Sequence, residues 1–222
     1  MAERATGQVQ YAAVIGDIRS SRGMPDRAAV QVRLEATLDS VNAEFGDRLA
    51  AGFIVTLGDE FQGVLLRAAD LVSVVNSVDA GLRGIPLRFA VGWGGVSTAI
   101  RERAVGIDGP CFHRAREAMT KGKRDGRWVT LSGFGELEDE LLNAIFWLMG
   151  EVRAGWTDIQ AETVAAARHA ESQKAVAAAR GRHTSTVSKA LKSALFEPIM
   201  AAERAAAVLL SNVDAESSGE GR

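Results

Sequence analysis

Apolar positions follow two alternating periods over the first 130 or so residues and a single period after them. The run YAAVIGDI (11–18) is almost continuously apolar and closes on Gly-Asp, which predicts a buried strand. From Pro25 and Asp26, a pair suited to a helix start, Val30, Leu34, Leu38, Val41 and Phe45 recur every three or four residues and predict a helix. FIVTL (53–57) and FQGVLL (61–66) are β-rich runs separated by GDE (58–60), the pattern of a hairpin. Helical spacing returns from Ala68 to Leu82 through Leu71, Val74, Val75 and Val78. LRFAVGWGGV (87–96) reads as a strand, 97–107 as a loop, 108–121 as a helix and GRWVTL (126–131) as a last strand. The order β-α-β-β-α-β, followed by α-β, predicts an α/β (α+β) fold: a ferredoxin-like sandwich whose helices cover one face of a largely antiparallel sheet.

After Gly135 no strand pattern follows. Residues 137–152, 158–169, 172–180, 184–195 and 198–211 read as helices, with breaks at Gly155, near Glu171, at Gly181 and at Pro198. The chain therefore divides into an α/β domain (9–134), a helical domain (135–212) and a small polar tail (213–222) whose composition predicts disorder. Residues 1–8 read as a mobile lead-in.

Composition narrows the function classes. Hydrophobic residues at 47% and charged residues at 24% suit a globular protein with a real core. A net charge of −2 means that any nucleic-acid surface must be local. Cys111 is the one cysteine, so no intramolecular disulfide can form, and it reads as a packed small side chain rather than a nucleophile. MAERATGQVQ carries no apolar signal core, and no apolar run approaches the roughly 18 residues that span a bilayer. A cytoplasmic protein is expected.

Two aspartates stand out. Asp17 ends the first strand and Asp59 sits in the hairpin turn, and in a β-α-β-β unit the two would converge at one end of the sheet. Paired carboxylates suit Mg²⁺ or Mn²⁺, which would in turn hold a nucleotide triphosphate. Gly16 and Gly58 would let the backbone approach phosphates. The alternative is that each Asp serves local hydrogen bonding at a strand end or turn. His113 and Arg116 share one side of the 108–121 helix, with Arg114 adjacent; they would meet phosphate near the helix N-terminus at Gly109, or form an ordinary solvated basic stripe. KGKRDGR (121–127) reads as a solvated turn, with an anion-binding loop as the alternative. Trp93, Trp128, Trp147 and Trp156 read as packing residues.

These segments carry a family resemblance. VIGDIRSS resembles the metal-binding first strand of class III nucleotide cyclases, and GDEFQG resembles their metal-binding hairpin and the signature turn of diguanylate cyclases. RFAVGWGGV and GIDGPCFHRAREAM resemble the later cyclase strand and the segment leading into the helix with transition-state groups. With a C-terminal helix-turn-helix, the whole is similar to the SatD family. The resemblance implies a nucleotide-cyclase-type sandwich, metal at Asp17 and Asp59, nucleotide at Gly16, Gly58, His113, Arg114 and Arg116, and a homodimer, since class III cyclases build their site between subunits. Three positions depart from the cyclase pattern. Val55 stands where ATP-using cyclases carry a purine-selecting lysine, His113 where they carry an asparagine, and Glu117 where they carry an arginine. A carboxylate at that last place cannot stabilise charge on a transferred phosphate.

The second constellation is QKAVAAARGRHTSTVSKALK (173–192), which has the length of a helix-turn-helix. Ala177, Gly181 and Val187 stand where that motif needs a small residue, a turn glycine and a buried β-branched residue. The stretch resembles bacterial regulators and sigma-factor region 4. Residues 172–196 hold five Lys or Arg and no acid. Thr184, Ser185, Thr186 and Ser188 would face base edges, while Arg180, Arg182, Lys189 and Lys192 would neutralise phosphates. Arg180 and Arg182 flank the glycine where apolar residues are usual, and the alternative is a helical bundle used for dimerisation. Three functions follow: a DNA-binding regulator whose cyclase-like domain senses a nucleotide or dimerises, an active cyclase or nucleotidyl-transfer enzyme, and a non-catalytic structural homodimer.

Overall fold

The computed structural model describes residues 9–19, 24 and 26–218. The lead-in at 1–8, the helix-start proline at 25 and the last four residues lie outside them. Strand β1 (Tyr11–Ile18) leads to α1 (Arg27–Phe45), whose N-cap is Asp26; its carboxylate accepts from Ala29 N at 2.9 Å. Next come β2 (Leu49–Leu57), β3 (Glu60–Leu65), α2 (Leu71–Gly81), β4 (Leu87–Gly94), α3 (Pro110–Asp125) and β5 (Val129–Ser132). The sheet order is β2-β3-β1-β4-β5, with all pairs antiparallel except β4–β5. The first four strands have the order of a ferredoxin-like unit.

Helices cover both faces of the sheet, not one. Ala12, Val14, Phe61, Phe89 and Val91 pack with Leu34 and Leu38 of α1 and Val74 and Val78 of α2. The alternate residues Ala13, Ile15, Val64 and Ala90 pack with Phe112, Ala115 and Met119 of α3. A strand apolar on both sides has no solvated face to leave open, and that is what the unbroken run at 11–18 encodes.

Helices α4 (Glu136–Ala154), α5 (Asp158–Arg168), α6 (Gln173–Ala179), α7 (Thr184–Ser193) and α8 (Phe196–Ser218) complete the chain. The buried cores do not divide at residue 135. Leu142, Phe146 and Met149 of α4 and Ile199, Ala206 and Leu210 of α8 belong to the core beneath the sheet. Among the described residues only α5, α6 and α7 close a core of their own, through Val164, Val176, Ala177, Val187 and Leu191. Asn143 of α4 covers the open edge of β5: its amide accepts from Leu131 N at 3.0 Å and donates to Leu131 O at 2.9 Å.

The C-terminus departs from the sequence reading. Pro198 does not break the chain but lies in the first turn of α8, where its missing N–H costs nothing; the break is at Leu195, with φ 55°. The tail expected to be disordered from 213 is helical through Ser218. Val213 is buried, and the Asp214 carboxylate accepts from Ala68 N at 2.8 Å and Ala69 N at 2.9 Å. Among the described residues no helix is long and apolar enough to cross a membrane.

Candidate functional site

Period-two alternation sets Asp17 on the same sheet face as Ile15, beneath α3. Its register partners are Glu60 on β3 and Arg88 on β4. Ile18 N donates to Asp59 O at 3.3 Å, so the hairpin turn sits against the end of β1. The backbone therefore brings Asp17 and Asp59 to one sheet end, as the spacing predicts, and adds Glu60 and Arg88. Asp17 is only 9% exposed. One of its oxygens accepts from Arg88 Nη1 at 3.2 Å and the other from Lys123 Nζ at 3.1 Å. Burial lifts the Glu60 carboxyl above its usual range; Asp17 and Asp59 push it further the same way, while Lys123 and Arg116 pull it back. Burial likewise lowers the Arg88 guanidinium, with Arg19 adding and Asp17 opposing.

This donor set does not fit the Mg²⁺ or Mn²⁺ that the cyclase resemblance implies. Both Asp17 oxygens are already held by cations, and the described residues contain no group of three His, Cys, Asp or Glu able to hold a metal. A dication at Asp17 would stand beside an ammonium and a guanidinium. Wild-type protein is thus expected to show no saturable Mn²⁺ binding by electron paramagnetic resonance. Lys123→Ala, which removes one cation and leaves Asp17, Asp59 and Glu60, is expected to gain it. Mn²⁺ bound by wild type and lost in Asp17→Asn would show that the aspartates are ligands after all.

Of the other nucleotide-reading residues, Gly58 and Arg116 stay at this end, Arg116 through its charge on Glu60, and the rest do not join the cluster. Gly16 faces the opposite side from Asp17, where a Cβ would lie 2.0 Å from Phe61 Cζ, so its missing side chain serves packing and not phosphate approach. Gly58 lies in the hairpin turn with φ 64° and open space around it. Helix α3 runs back along β4, so Lys123 in its last turn reaches Asp17, while its N-terminus lies over Gly92 and Gly94. Gly94 is six residues along β4 from Arg88, about 20 Å at the rise of a strand. His113 and Arg114 are therefore at the far end from Asp17. Arg114 donates through Nη1 to Trp93 O and braces the end of β4. His113 Nε2 lies 3.1 Å from Asp108, and Arg116 lies 4.0 Å from the same carboxylate. The Gly109 N–H, ahead of His113, holds the Asp108 carboxyl below its usual range. Cys111 is buried, which pushes its thiol up to about 11 and makes it inert at neutral pH.

Sequence reasoning missed Glu60, Arg88 and Lys123. Glu60 and Arg88 were legible, each standing two residues from a same-face neighbour, Gln62 and Ala90. Lys123 was not: Lys121–Asp125 reads as a turn but forms the last turn of α3, closed by Gly126 in the left-handed region.

In the C-terminal helices, α6 and α7 are joined by a short turn with Gly181 at φ 58°. Val176, Ala177, Val187 and Leu191 are buried between them. Arg182, Thr184, Ser185, Thr186, Ser188, Lys189 and Lys192 are all exposed. Arg180 is not free for phosphate: its guanidinium holds the Glu162 carboxylate of α5 and donates to Glu162 O at 3.3 Å. Trp93 stacks on Phe134 at 5.9 Å and Trp128 lies between Phe89 and Phe146, which are packing roles. Trp156 ties the α4–α5 turn to α7 by donating to Ala194 O at 2.9 Å. Trp147 is instead half exposed beneath Arg127.

Comparison with curated proteins gives no match. Among solved structures, the catalytic core of a rhodopsin-guanylyl cyclase with converted specificity, in complex with ATPαS, is similar over 51% of this chain and 72% of its own, at 18% identity and TM-score 0.39. A bacterial light-regulated adenylyl cyclase is similar over 57% and 77%, at 10% identity and TM-score 0.41. The model of the SatD family matches residues 11–210, from the first residue of β1 into α8. The chain belongs to the SatD family.

Proposed function

We propose that this protein is a cytoplasmic, homodimeric DNA-binding regulator, with α6 and α7 as a helix-turn-helix and the sheet domain as its nucleotide-sensing or dimerising module. The observation that carries this reading is the division of α7. Val187 and Leu191 seal it to α5 and α6, while Thr184, Ser185, Thr186, Ser188, Lys189 and Lys192 stand exposed in a stretch without one acidic residue. A polar, cationic helix presented by a small packed unit suits the major groove, with its N-terminal residues at base edges. Lys189, Lys192 and Arg182 serve phosphates; Arg180 serves the fold. A two-fold dimer would present two such helices to an inverted repeat.

Three features count against the enzyme reading: Val55, Glu117, and the pairing of Asp17 with Arg88 and Lys123. Product analysis after incubation with ATP and GTP tests it, and turnover would restore it. The DNA reading is tested by anisotropy titration of labelled duplexes at graded salt. The pair Lys189→Ala/Lys192→Ala is expected to weaken binding to every duplex and to lower the salt slope by about 2. Thr184→Ala or Ser185→Ala is expected to change which duplex is preferred. Unchanged binding by the lysine pair would refute the assignment of α7.

A further inference from the structure

A cleft of about 960 Å³ opens between α1 and α2 on one side and α4, α5 and α8 on the other. Its size is that of small-molecule sites, ~300–1,000 Å³. It lies on the α1–α2 side of the sheet, opposite the face that carries Asp17 beneath α3. Its described walls carry six arginines against three carboxylates, in a chain whose net charge is negative.

Two of the six arginines form the base and two a less committed rim, while Arg19 and Arg48 line the cleft elsewhere. At the base, Arg153 and Arg168 are nearly buried and neutralised by Asp79 and Glu203, and the Arg153 guanidinium also lies over the rings of Trp128 and Trp156. These pairs fix the floor. Arg33 and Arg83 are less committed, whereas Arg48 also donates to Glu44 O at 3.4 Å and lies over the Phe45 ring. Arg33 donates its Nε to Gly81 O at 2.9 Å, and its two terminal nitrogens have no hydrogen bond among the described residues. Arg48 lies 3.4 Å from Asp70 and Arg83 lies 3.7 Å from Glu162, the long end of ion pairing, and both side chains are about two-fifths exposed.

We propose that this cleft is a binding site for a phosphate-bearing small molecule of nucleotide size. The planar guanidinium fork matches phosphate oxygens two at a time, and two such forks at one end of the cleft supply charge that a polyphosphate needs. Arg33 and Arg83, both beside the C-terminal end of α2, take the phosphates. Glu162 competes for Arg83, and the same carboxylate holds Arg180 of α6. A phosphate that captures Arg83 therefore loosens the link between the sheet domain and the α5–α6 pair. On the reading of α6 and α7 given above, that link joins ligand to DNA; the ligand site itself does not depend on that reading.

The competition gives the site a signature with both signs. Calorimetric titration of the full chain with ATP and with pyrophosphate, in EDTA, is expected to show saturable binding. Arg33→Ala and Arg83→Ala, both at exposed positions, are each expected to weaken it about tenfold, the loss of one charge-assisted contact. Glu162→Gln is expected to tighten it, and Arg124→Ala, an equal loss of charge outside the cleft, to leave it unchanged. No saturable heat with either probe would overturn the proposal. So would binding that survives both cleft variants, or a Glu162→Gln variant that binds more weakly than wild type. None of these outcomes bears on duplex binding by the Lys189 and Lys192 variants, so the two readings fail separately.

Discussion

Replacing Gly92 with alanine is expected to lower stability by about 3 kcal/mol, at the upper end of overpacking costs. Gly92 lies on β4 where α3 crosses closest. A Cβ there would lie 2.0 Å from Cys111 O and 2.5 Å from Ala115 N. Both are backbone atoms of a helix and cannot rotate away, so α3 must lift from the sheet as a unit. That lift opens the core that Ile15 and Ala90 share with Phe112 and Met119, and it draws Lys123 from Asp17. For a chain of this size the loss corresponds to a fall in Tm of roughly 6–12 °C. Gly46→Ala is the control: its Cβ would meet nothing within 4 Å and its φ is −38°, so it is expected to be neutral or slightly stabilising. Equal urea midpoints for the two variants would contradict the close helix–sheet contact.

Glu203→Ala is expected to cost about 3–5 kcal/mol, the penalty for leaving a buried charge without its partner. Both Glu203 oxygens accept from Arg168, and the side chains are 5% and 12% exposed. Glu203 is on α8 and Arg168 ends α5, so this pair joins the long C-terminal helix to the three-helix unit. Removing both charges together, as Arg168→Met/Glu203→Leu, is expected to recover most of the loss, because hydrophobic replacement of a buried ion pair is often neutral. Chemical denaturation of the three variants decides it. A double variant as unstable as Glu203→Ala would mean that the pair contributes more than the relief of a stranded charge.

Local pattern carried most of the elements and little of what joins them. The run at 11–18 and the GDE turn are visible because strand signals act over a few residues, and the α1 and α2 stripes because burial repeats at the helical period. Lys123 was hidden because KGKRDGR is polar throughout and bracketed by glycines. Gly122 is inside α3 for a reason only the fold reveals: a Cβ there would lie 2.7 Å from Thr130 Oγ1 on β5. Asp214 was hidden because its partners, Ala68 and Ala69, stand about 145 residues away in sequence, and small polar composition alone reads as a tail. The candidate site divides in the same way. Asp59 is placed by a local hairpin, and it meets Asp17 because the β-α-β-β order pairs β3 of that hairpin with β1. His113 and Arg114 fall at the other end because the direction of α3 depends on the glycines of β4 beneath it. At α7, the helix-turn-helix pattern marked Val187 as buried, which it is, while the Glu162 contact that removes Arg180 from the polar face lies outside any local window.

Selection from a random pool of duplexes, using the full-length protein with Thr184→Ala and Lys189→Ala/Lys192→Ala beside it, tests the role of α7 most directly. Wild type is expected to enrich two inverted half-sites about one helical turn, ~10 base pairs, apart; Thr184→Ala is expected to shift the enriched half-site, and the lysine pair to recover little DNA at all. A wild-type pool that stays random, or one enriched equally by the lysine pair, would contradict the placement of α7 on DNA.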